Sequence, residues 1–70
     1  MTVNDIIAHN MKNARLCQGH SLQTVAAALG ISYQQIQKYE SGRNRISAER
    51  LYYLSCFYKM PIQAFFAPQI

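Results

Sequence analysis

Amide and basic side chains are concentrated in one short segment of the chain, residues 32–45, whose sequence is SYQQIQKYESGRNR. The segment holds three glutamines, one lysine and two arginines, but only one acid, Glu40, and one aliphatic side chain, Ile36. Glutamine both donates and accepts hydrogen bonds, and lysine and arginine add positive charge. Such a set suits a partner that is negatively charged and rich in hydrogen-bonding groups.

The charge of the whole chain favours the same kind of partner. Seven Lys/Arg stand against three Asp/Glu, which gives a net charge of +4 and a pI near 9.4. A basic balance favours polyanions such as nucleic acid or an acidic membrane surface. A basic protein without such a partner remains the open alternative, because net charge bears only on solubility and association.

Other residue types give little support for catalysis or for a metal centre. His9 and His20 have no ligand-like neighbours in sequence and suit surface or cap positions, and no serine has a neighbouring histidine and acid. Cys17 and Cys56 do not have metal-ligand spacing. We expect both cysteines to be reduced and buried, although one disulfide stays open. The sequence therefore predicts no enzyme activity, no metal and no cofactor.

Seventy residues can form one small domain, and the periodicity predicts an all-α bundle of four to five short helices. Ser and Thr caps and three glycines bound the segments. Pro61 ends the fourth helix and can open a short fifth one. No segment alternates with period two, so no sheet is expected. The expected helices cover about residues 4–17, 21–30, 32–42, 47–59 and 62–66.

The second and third helices are joined by only three residues, 30–32. Two short helices with such a tight glycine turn predict a helix-turn-helix, at about residues 21–41. A C-terminal helix and an aromatic tail follow at about residues 47–70. No apolar run approaches the ~18–20 residues of a membrane span. No signal peptide is visible either, so we expect an intact cytoplasmic chain.

Six segments together carry a resemblance to a known family. They are MKNARLCQGHS (11–21), VAAALGIS (25–32), IQKYESG (36–42), SAERLYYL (47–54), MP (60–61) and FF (65–66). In this order and spacing the chain resembles the lambda-repressor/Cro-type helix-turn-helix family, also named after the xenobiotic response element, over about residues 6–66. The resemblance implies a small prokaryotic or phage transcriptional regulator, in the first instance a repressor. Such a protein binds a near-palindromic operator in double-stranded DNA as a homodimer.

Within this resemblance, the outer face of the third helix is expected to read bases in the major groove. The groove presents donors, acceptors and thymine methyls, which amide, ammonium and phenol groups can contact. The predicted base readers are Tyr33, Gln34, Gln37 and Lys38. The predicted phosphate contacts are Ser32, Gln23, Gln35, Ser41, Arg43, Asn44 and Arg45, with Lys12 as a weaker candidate. The alternative is that these residues contact no DNA and form only a solvated helix surface and loop.

The resemblance makes two further predictions near this face, one about an ion pair and one about Leu22. The family pairs an arginine of the first helix with the glutamate that ends the third, which predicts a partly buried Arg15–Glu40 ion pair and leaves no other acid near the DNA. The family commonly has glutamine where this chain has Leu22. We therefore expect Leu22 to be an exposed apolar side chain, with Gln23 taking over the phosphate contact or the contact being lost.

Six of the eight aromatic residues lie between Tyr52 and Phe66. A core of this size cannot bury all of them, and aromatic residues are enriched at interfaces. We expect a homodimer surface that includes Tyr52, Tyr53, Phe57 and Phe66. The alternative is that Phe65 and Phe66 cap the core of the monomer. Two further functions stay open, namely the antitoxin of a toxin–antitoxin pair, which would also bind a toxin protein, and a module that binds only protein.

Overall fold

The structure, a computed structural model, describes residues 1–68 and confirms the all-α prediction. None of these residues forms a strand. The final two residues of the predicted aromatic tail lie outside the described range. The helices are α1 (Val3–Cys17), α2 (Leu22–Leu29), α3 (Tyr33–Glu40), α4 (Ala48–Tyr58) and a short 3₁₀ helix (Ile62–Phe66).

Each α-helix begins at a hydroxyl side chain that accepts a backbone N–H three residues later. These caps are Thr2, Ser21, Ser32 and Ser47. Such a cap satisfies one of the free N–H groups of a helix start and is worth about 1 kcal/mol. At α1 the cap is reciprocal, because the Asp5 carboxylate also accepts the Thr2 N–H at 3.0 Å. The hydroxyl caps fix where the helices begin.

The ends of the four α-helices also share one arrangement. A residue with a left-handed backbone lies directly after α2 and α4 and two positions after α1 and α3. The N–H of the residue that follows it donates to the carbonyl five residues earlier at 2.9–3.1 Å. Gly19, Gly30 and Gly42 take the left-handed position after α1, α2 and α3, where a Cβ is unfavourable. After α4 the same position is taken by Lys59, with φ of 55°.

The core lies where the helices meet. Helix α1 packs against α3 and the 3₁₀ helix, and α2 packs against α3 and α4. Phe65 is fully buried, whereas Phe66 is 45% exposed. The buried apolar residues of the central cluster are Met11, Ala14, Val25, Ala26, Ile36, Tyr39, Leu51, Leu54, Tyr58 and Phe65.

Asn10 connects the first helix to the C-terminal segment. Its buried side-chain amide donates to the Phe65 carbonyl at 2.8 Å and to the Ala67 carbonyl at 2.9 Å. Backbone carbonyls in the interior need donors, so this asparagine provides hydrogen bonds that the irregular chain after the 3₁₀ helix cannot make within itself. No local pattern in the sequence marks Asn10 for this role.

Two expectations about burial were wrong. Cys17 and Cys56 are both free thiols but exposed, because each falls outside the buried stripe of its helix. Leu22 is only partly exposed, since its side chain packs against the core. Among the described residues, no helix has the length and apolarity needed to cross a membrane.

Candidate nucleic-acid interface

The exposed face of α3 and the turn after it form one shallow depression of about 380 Å³. Three predicted base readers, Gln34, Gln37 and Lys38, line it together with two predicted phosphate contacts, Ser41 and Arg43. The walls therefore combine amide groups, a hydroxyl and two cations, which suits the hydrogen-bonding edges and phosphates of DNA.

The remaining predicted readers and phosphate contacts lie outside this depression. Tyr33 is the first residue of α3 and is 41% exposed. Asn44 and Arg45 are exposed on the loop beyond the depression, and Gln23 is exposed at the start of α2. The Ser32 hydroxyl accepts the N–H of Gln35, while the Gln35 side chain is half-buried.

The turn after α3 is organised around a single acceptor, the carbonyl oxygen of Lys38. It accepts the backbone N–H of Arg43 at 3.0 Å, the backbone N–H of Asn44 at 3.2 Å and the hydroxyl of Ser41 at 3.2 Å. Gly42 makes the chain reversal possible, with φ of 78°. The turn that carries Arg43 is thereby fixed to the last turn of α3.

Behind the depression, Arg15 and Glu40 form the ion pair that the family resemblance implied. The Arg15 Nε lies 2.8 Å from Glu40 Oε2, and Nη2 lies 2.9 Å from Oε1. The two side chains are only 11% and 6% exposed. The hydrogen bonds to the glutamate raise the pKa of the arginine, so its charge is permanent. A third donor, Nη1, reaches the His20 carbonyl at 3.1 Å and ties α1 to the loop before α2.

A second depression of about 270 Å³ adjoins the ion pair. Lys12 and Leu22 line it, and so do Gln37 and Ser41, which also line the first depression. Gln37 therefore borders both depressions on the surface of α3. The structure places Lys12 on the same side of the molecule as the predicted readers, as a phosphate contact requires.

Arg50 links the first turn of α4 to α3. Its guanidinium donates to the hydroxyl of Tyr39 at 2.7 Å. Tyr39 is buried, so this hydrogen bond satisfies the one polar group on an otherwise apolar inner face. Sequence reasoning missed Arg50, because a basic residue in the first turn of a helix resembles an ordinary surface residue.

The first turn of α1 also reaches the turn after α3. The Asn4 side-chain amide donates to the Gly42 carbonyl at 3.1 Å. A Cβ placed on Gly42 would lie 3.3 Å from Oδ1 of Asp5. The expectation that Glu40 is the only acid near this face was therefore wrong. The pattern of Thr2 and Asp5 indicates the capping box, but the approach to Gly42 depends on tertiary packing.

The predicted dimer residues occupy different environments. Tyr52 and Tyr53 are 57% and 52% exposed, with ring centroids 5.9 Å apart, and Phe66 is also exposed. Phe57 is half-buried, because its ring packs against that of His20 with centroids 5.0 Å apart. Three of the four aromatic side chains therefore remain largely uncovered within the monomer. No group of His, Cys, Asp and Glu suited to a metal ion occurs among residues 1–68.

Comparison with known proteins agrees with this geometry. The helix-turn-helix family model matches residues 11–65, which is most of the chain. The chain belongs to the lambda-repressor/Cro-type helix-turn-helix family. Family membership supports DNA binding and transcription regulation as its role.

Relatives of this helix-turn-helix chain are described as regulators. It is 42% identical to an uncharacterized transcriptional regulator in the ATPase CF(0) region of Rhodospirillum rubrum, covering 94% of this chain and 64% of that protein. It is 38% identical to an uncharacterized HTH-type transcriptional regulator of Sinorhizobium medicae, covering 86% of this chain and 43% of the relative. The chain thus spans only 43–64% of the length of these relatives.

The fold is also found in a solved structure, that of the hypothetical transcription factor NHTF from Neisseria. The TM-score is 0.87, with 18% sequence identity, over 96% of this chain and 77% of the other. At this identity the likeness establishes the fold alone.

Proposed function

We propose that this helix-turn-helix chain binds an operator in double-stranded DNA and acts as a transcriptional repressor in the cytoplasm. The observation that carries the proposal is the depression on α3, where amide and cationic side chains meet on a rigid support. In this proposal α3 lies in the major groove, and the turn after it lies on the sugar–phosphate backbone.

The side chains divide into two roles. Gln34, Gln37 and Lys38 read base edges, and Tyr33 at the leading end of α3 adds a hydroxyl and an apolar ring edge. Each good bidentate base contact discriminates by about 1–3 kcal/mol against the wrong base. Contacts to phosphate position the protein without reading sequence. We assign this role to Ser32, Gln23, Gln35, Ser41, Arg43, Asn44 and Arg45.

Selection of bound sequences from a random duplex pool is the decisive test. We expect enrichment of one near-palindromic site. The variant Gln34→Ala should lose about 1–3 kcal/mol on that site and relax the preference at one base pair. The matched control is Gln63→Ala, in an exposed glutamine of the 3₁₀ helix, which should bind like the wild type. Absence of binding to every duplex at about 50 mM salt would refute the proposal.

The phosphate contacts have their own signature. Replacing Arg43 by glutamine should weaken binding to all duplexes alike and reduce the slope of log K against log salt by about 1. Lys59→Gln removes the same charge from the end of α4 and serves as the control. Equal slopes for both variants would show that Arg43 contributes only general charge.

We further propose a homodimer, for which the exposed Tyr52, Tyr53 and Phe66 provide the support. A two-fold dimer would place two α3 helices about 34 Å apart, one turn of DNA. Sedimentation at micromolar concentration should show a monomer–dimer equilibrium that Tyr53→Ser weakens. Leu16→Ser, in an exposed apolar residue on α1, should leave it unchanged. Association unaffected by Tyr53→Ser would place the interface elsewhere. The toxin partner stays a prediction, to be tested by whether a small toxin gene adjoins this one.

A further inference from the structure

The turn that follows α3 is in contact with the start of α1, although 38 residues separate Asn4 from Gly42 along the chain. The contact has two components. The Asn4 side chain donates to the Gly42 carbonyl at 3.1 Å, and the Asp5 carboxylate faces the position where Gly42 lacks a side chain. The neighbours of Gly42 on either side, Ser41 and Arg43, line the depression on α3.

The Asp5 carboxylate is held in a fixed orientation. Its Oδ2 accepts the Thr2 N–H at 3.0 Å, and the Thr2 hydroxyl accepts the Asp5 N–H at 3.1 Å. Its other oxygen, Oδ1, is the one directed at Gly42. The hydrogen bonds from Thr2 lower the pKa of Asp5, so the group is ionised at neutral pH. A negative charge is therefore fixed beside the turn.

Among the described residues no salt bridge neutralises this charge as Arg15 neutralises Glu40, although the positive charge of the amino terminus also acts on Asp5. The chain has three acids, and the only salt bridge among residues 1–68 joins Glu40 to Arg15. Glu49 lies in the first turn of α4, at the start of a different helix. Asp5 is thus the one acid that is adjacent to the candidate phosphate-binding turn and lacks a salt bridge within the described part of the chain.

We propose that Asp5 is an affinity-setting residue of the DNA-binding surface, which weakens binding by repelling the phosphates that the turn after α3 contacts. The proposal rests on the function proposed above. A fixed anion close to the sugar–phosphate backbone opposes the attraction of Arg43 and Arg45. Since most sequence-independent binding comes from phosphate contacts, the repulsion acts on every duplex, whatever its sequence.

Asn4 has the complementary role of a positioning residue. Its hydrogen bond sets the distance between the first turn of α1 and the Gly42 carbonyl, and so the distance between the Asp5 charge and the turn. Loss of this bond should free the turn without removing a charge. Affinity should then change less with salt than it does when Asp5 is replaced.

The test compares two isosteric replacements of acids in first helical turns. Asp5→Asn keeps an oxygen that can accept the Thr2 N–H, and Glu49→Gln is its matched control. In electrophoretic shifts with the selected operator and with an unrelated duplex, we expect Asp5→Asn to bind both about two- to fivefold more tightly at about 50 mM salt. The gain should shrink at about 200 mM salt, because screening weakens the repulsion. Glu49→Gln should change affinity less than Asp5→Asn at both salt concentrations.

A second measurement uses heparin as a polyanion that has no base sequence. Asp5→Asn should elute from immobilised heparin at higher salt than Glu49→Gln, although both variants have the same net charge. Asn4→Ala is compared with Asn13→Ala, which lies on the exposed side of α1. We expect Asn4→Ala alone to change duplex affinity.

The outcomes separate the two proposals. Equal affinities for Asp5→Asn and Glu49→Gln, with a wild type that binds its operator, would overturn the role of Asp5 and leave the proposed function standing. A gain on the operator that persists unchanged at high salt would also overturn it, because repulsion between charges must be screened. A wild type that binds no duplex would overturn both.

Discussion

Arg15 and Glu40 provide the sharpest test of how α3 is supported. Arg15 donates three hydrogen bonds to Glu40 and one to the His20 carbonyl, and both charged groups are partly buried. Replacing Arg15 by methionine keeps much of the volume but leaves the carboxylate of Glu40 without its counter-ion. Stranding one buried charge of such a pair costs about 3–5 kcal/mol.

We expect a loss near the lower limit, about 3 kcal/mol, because the pair lies close to the surface. For a domain of this size each kcal/mol lowers the melting temperature by about 4–8 °C, so Arg15→Met should melt about 12–24 °C lower. The assay is thermal and urea unfolding followed by circular dichroism. Arg45→Met, an exposed arginine on the loop after α3, is the control and should stay within about 0.5 kcal/mol of the wild type.

A double-mutant cycle identifies the cause. Glu40→Leu alone strands the arginine, whereas Arg15→Met with Glu40→Leu removes both charges and their desolvation cost. The double variant should therefore be more stable than the sum of the single losses predicts, by at least about 1 kcal/mol. Strict additivity would refute the reasoning that buried, coupled charges hold α3 in place. So would a loss below about 1 kcal/mol for Arg15→Met.

Three further predictions concern the stability of the fold. Gly42→Ala should destabilise the protein more than Gly30→Ala in urea unfolding, since both strain a left-handed residue but only the Cβ at Gly42 meets another side chain, 3.3 Å away. Equal losses would contradict the contact with α1. Lys59→Gly should stabilise by up to about 1 kcal/mol, because glycine removes the strain of φ at 55°, and a lower melting temperature would argue against that strain. Burial, and then the charge of Glu40, raise the pKa of Tyr58 above its usual value of 10.0. Its contribution to stability is therefore complete below pH 10 and is lost as the pH rises further. Tyr58→Phe should accordingly lose less stability than the wild type between about pH 10 and pH 12 in urea unfolding, and equal losses would exclude Tyr58 as the cause.

Local signals in the sequence were sufficient for the helices. Serine caps and left-handed glycines act within five residues, so Ser21 to Gly30 and Ser32 to Gly42 could be placed closely. The first helix begins at Val3, one residue before the expected residue 4, because Thr2 caps it. The inward faces of the helices follow from helical periodicity, and the burial of Ile36 on α3 and of Leu54 on α4 agrees with it.

Long-range contacts were not accessible in the same way. The hydrogen bonds of Asn4 to Gly42 and of Asn10 to Phe65 join segments 38 and 55 residues apart, and no local sequence pattern predicts them. An asparagine on a helix is usually a surface residue, so only the tertiary packing shows that these two are bound. The Arg15–Glu40 pair, 25 residues apart, could be anticipated only because the family resemblance implied it.

Burial at the margins of the core was the least predictable property. Whether Leu22 or a cysteine is covered depends on rotations of a few tens of degrees about a helix axis, which hydrophobicity alone does not determine. The uncovered Tyr52 and Tyr53 could be anticipated because the core is too small for all six aromatic side chains of this region.

The three hydrogen bonds on the Lys38 carbonyl have a consequence for how this surface can change during evolution. The same residue that presents an ammonium group to the depression also holds the backbone of Arg43 and Asn44. The spacing between the proposed base readers and the proposed phosphate contacts is therefore set by the main chain. Side chains on α3 can therefore change to suit a new operator without altering this spacing. A change in the turn would shift it for every operator at once.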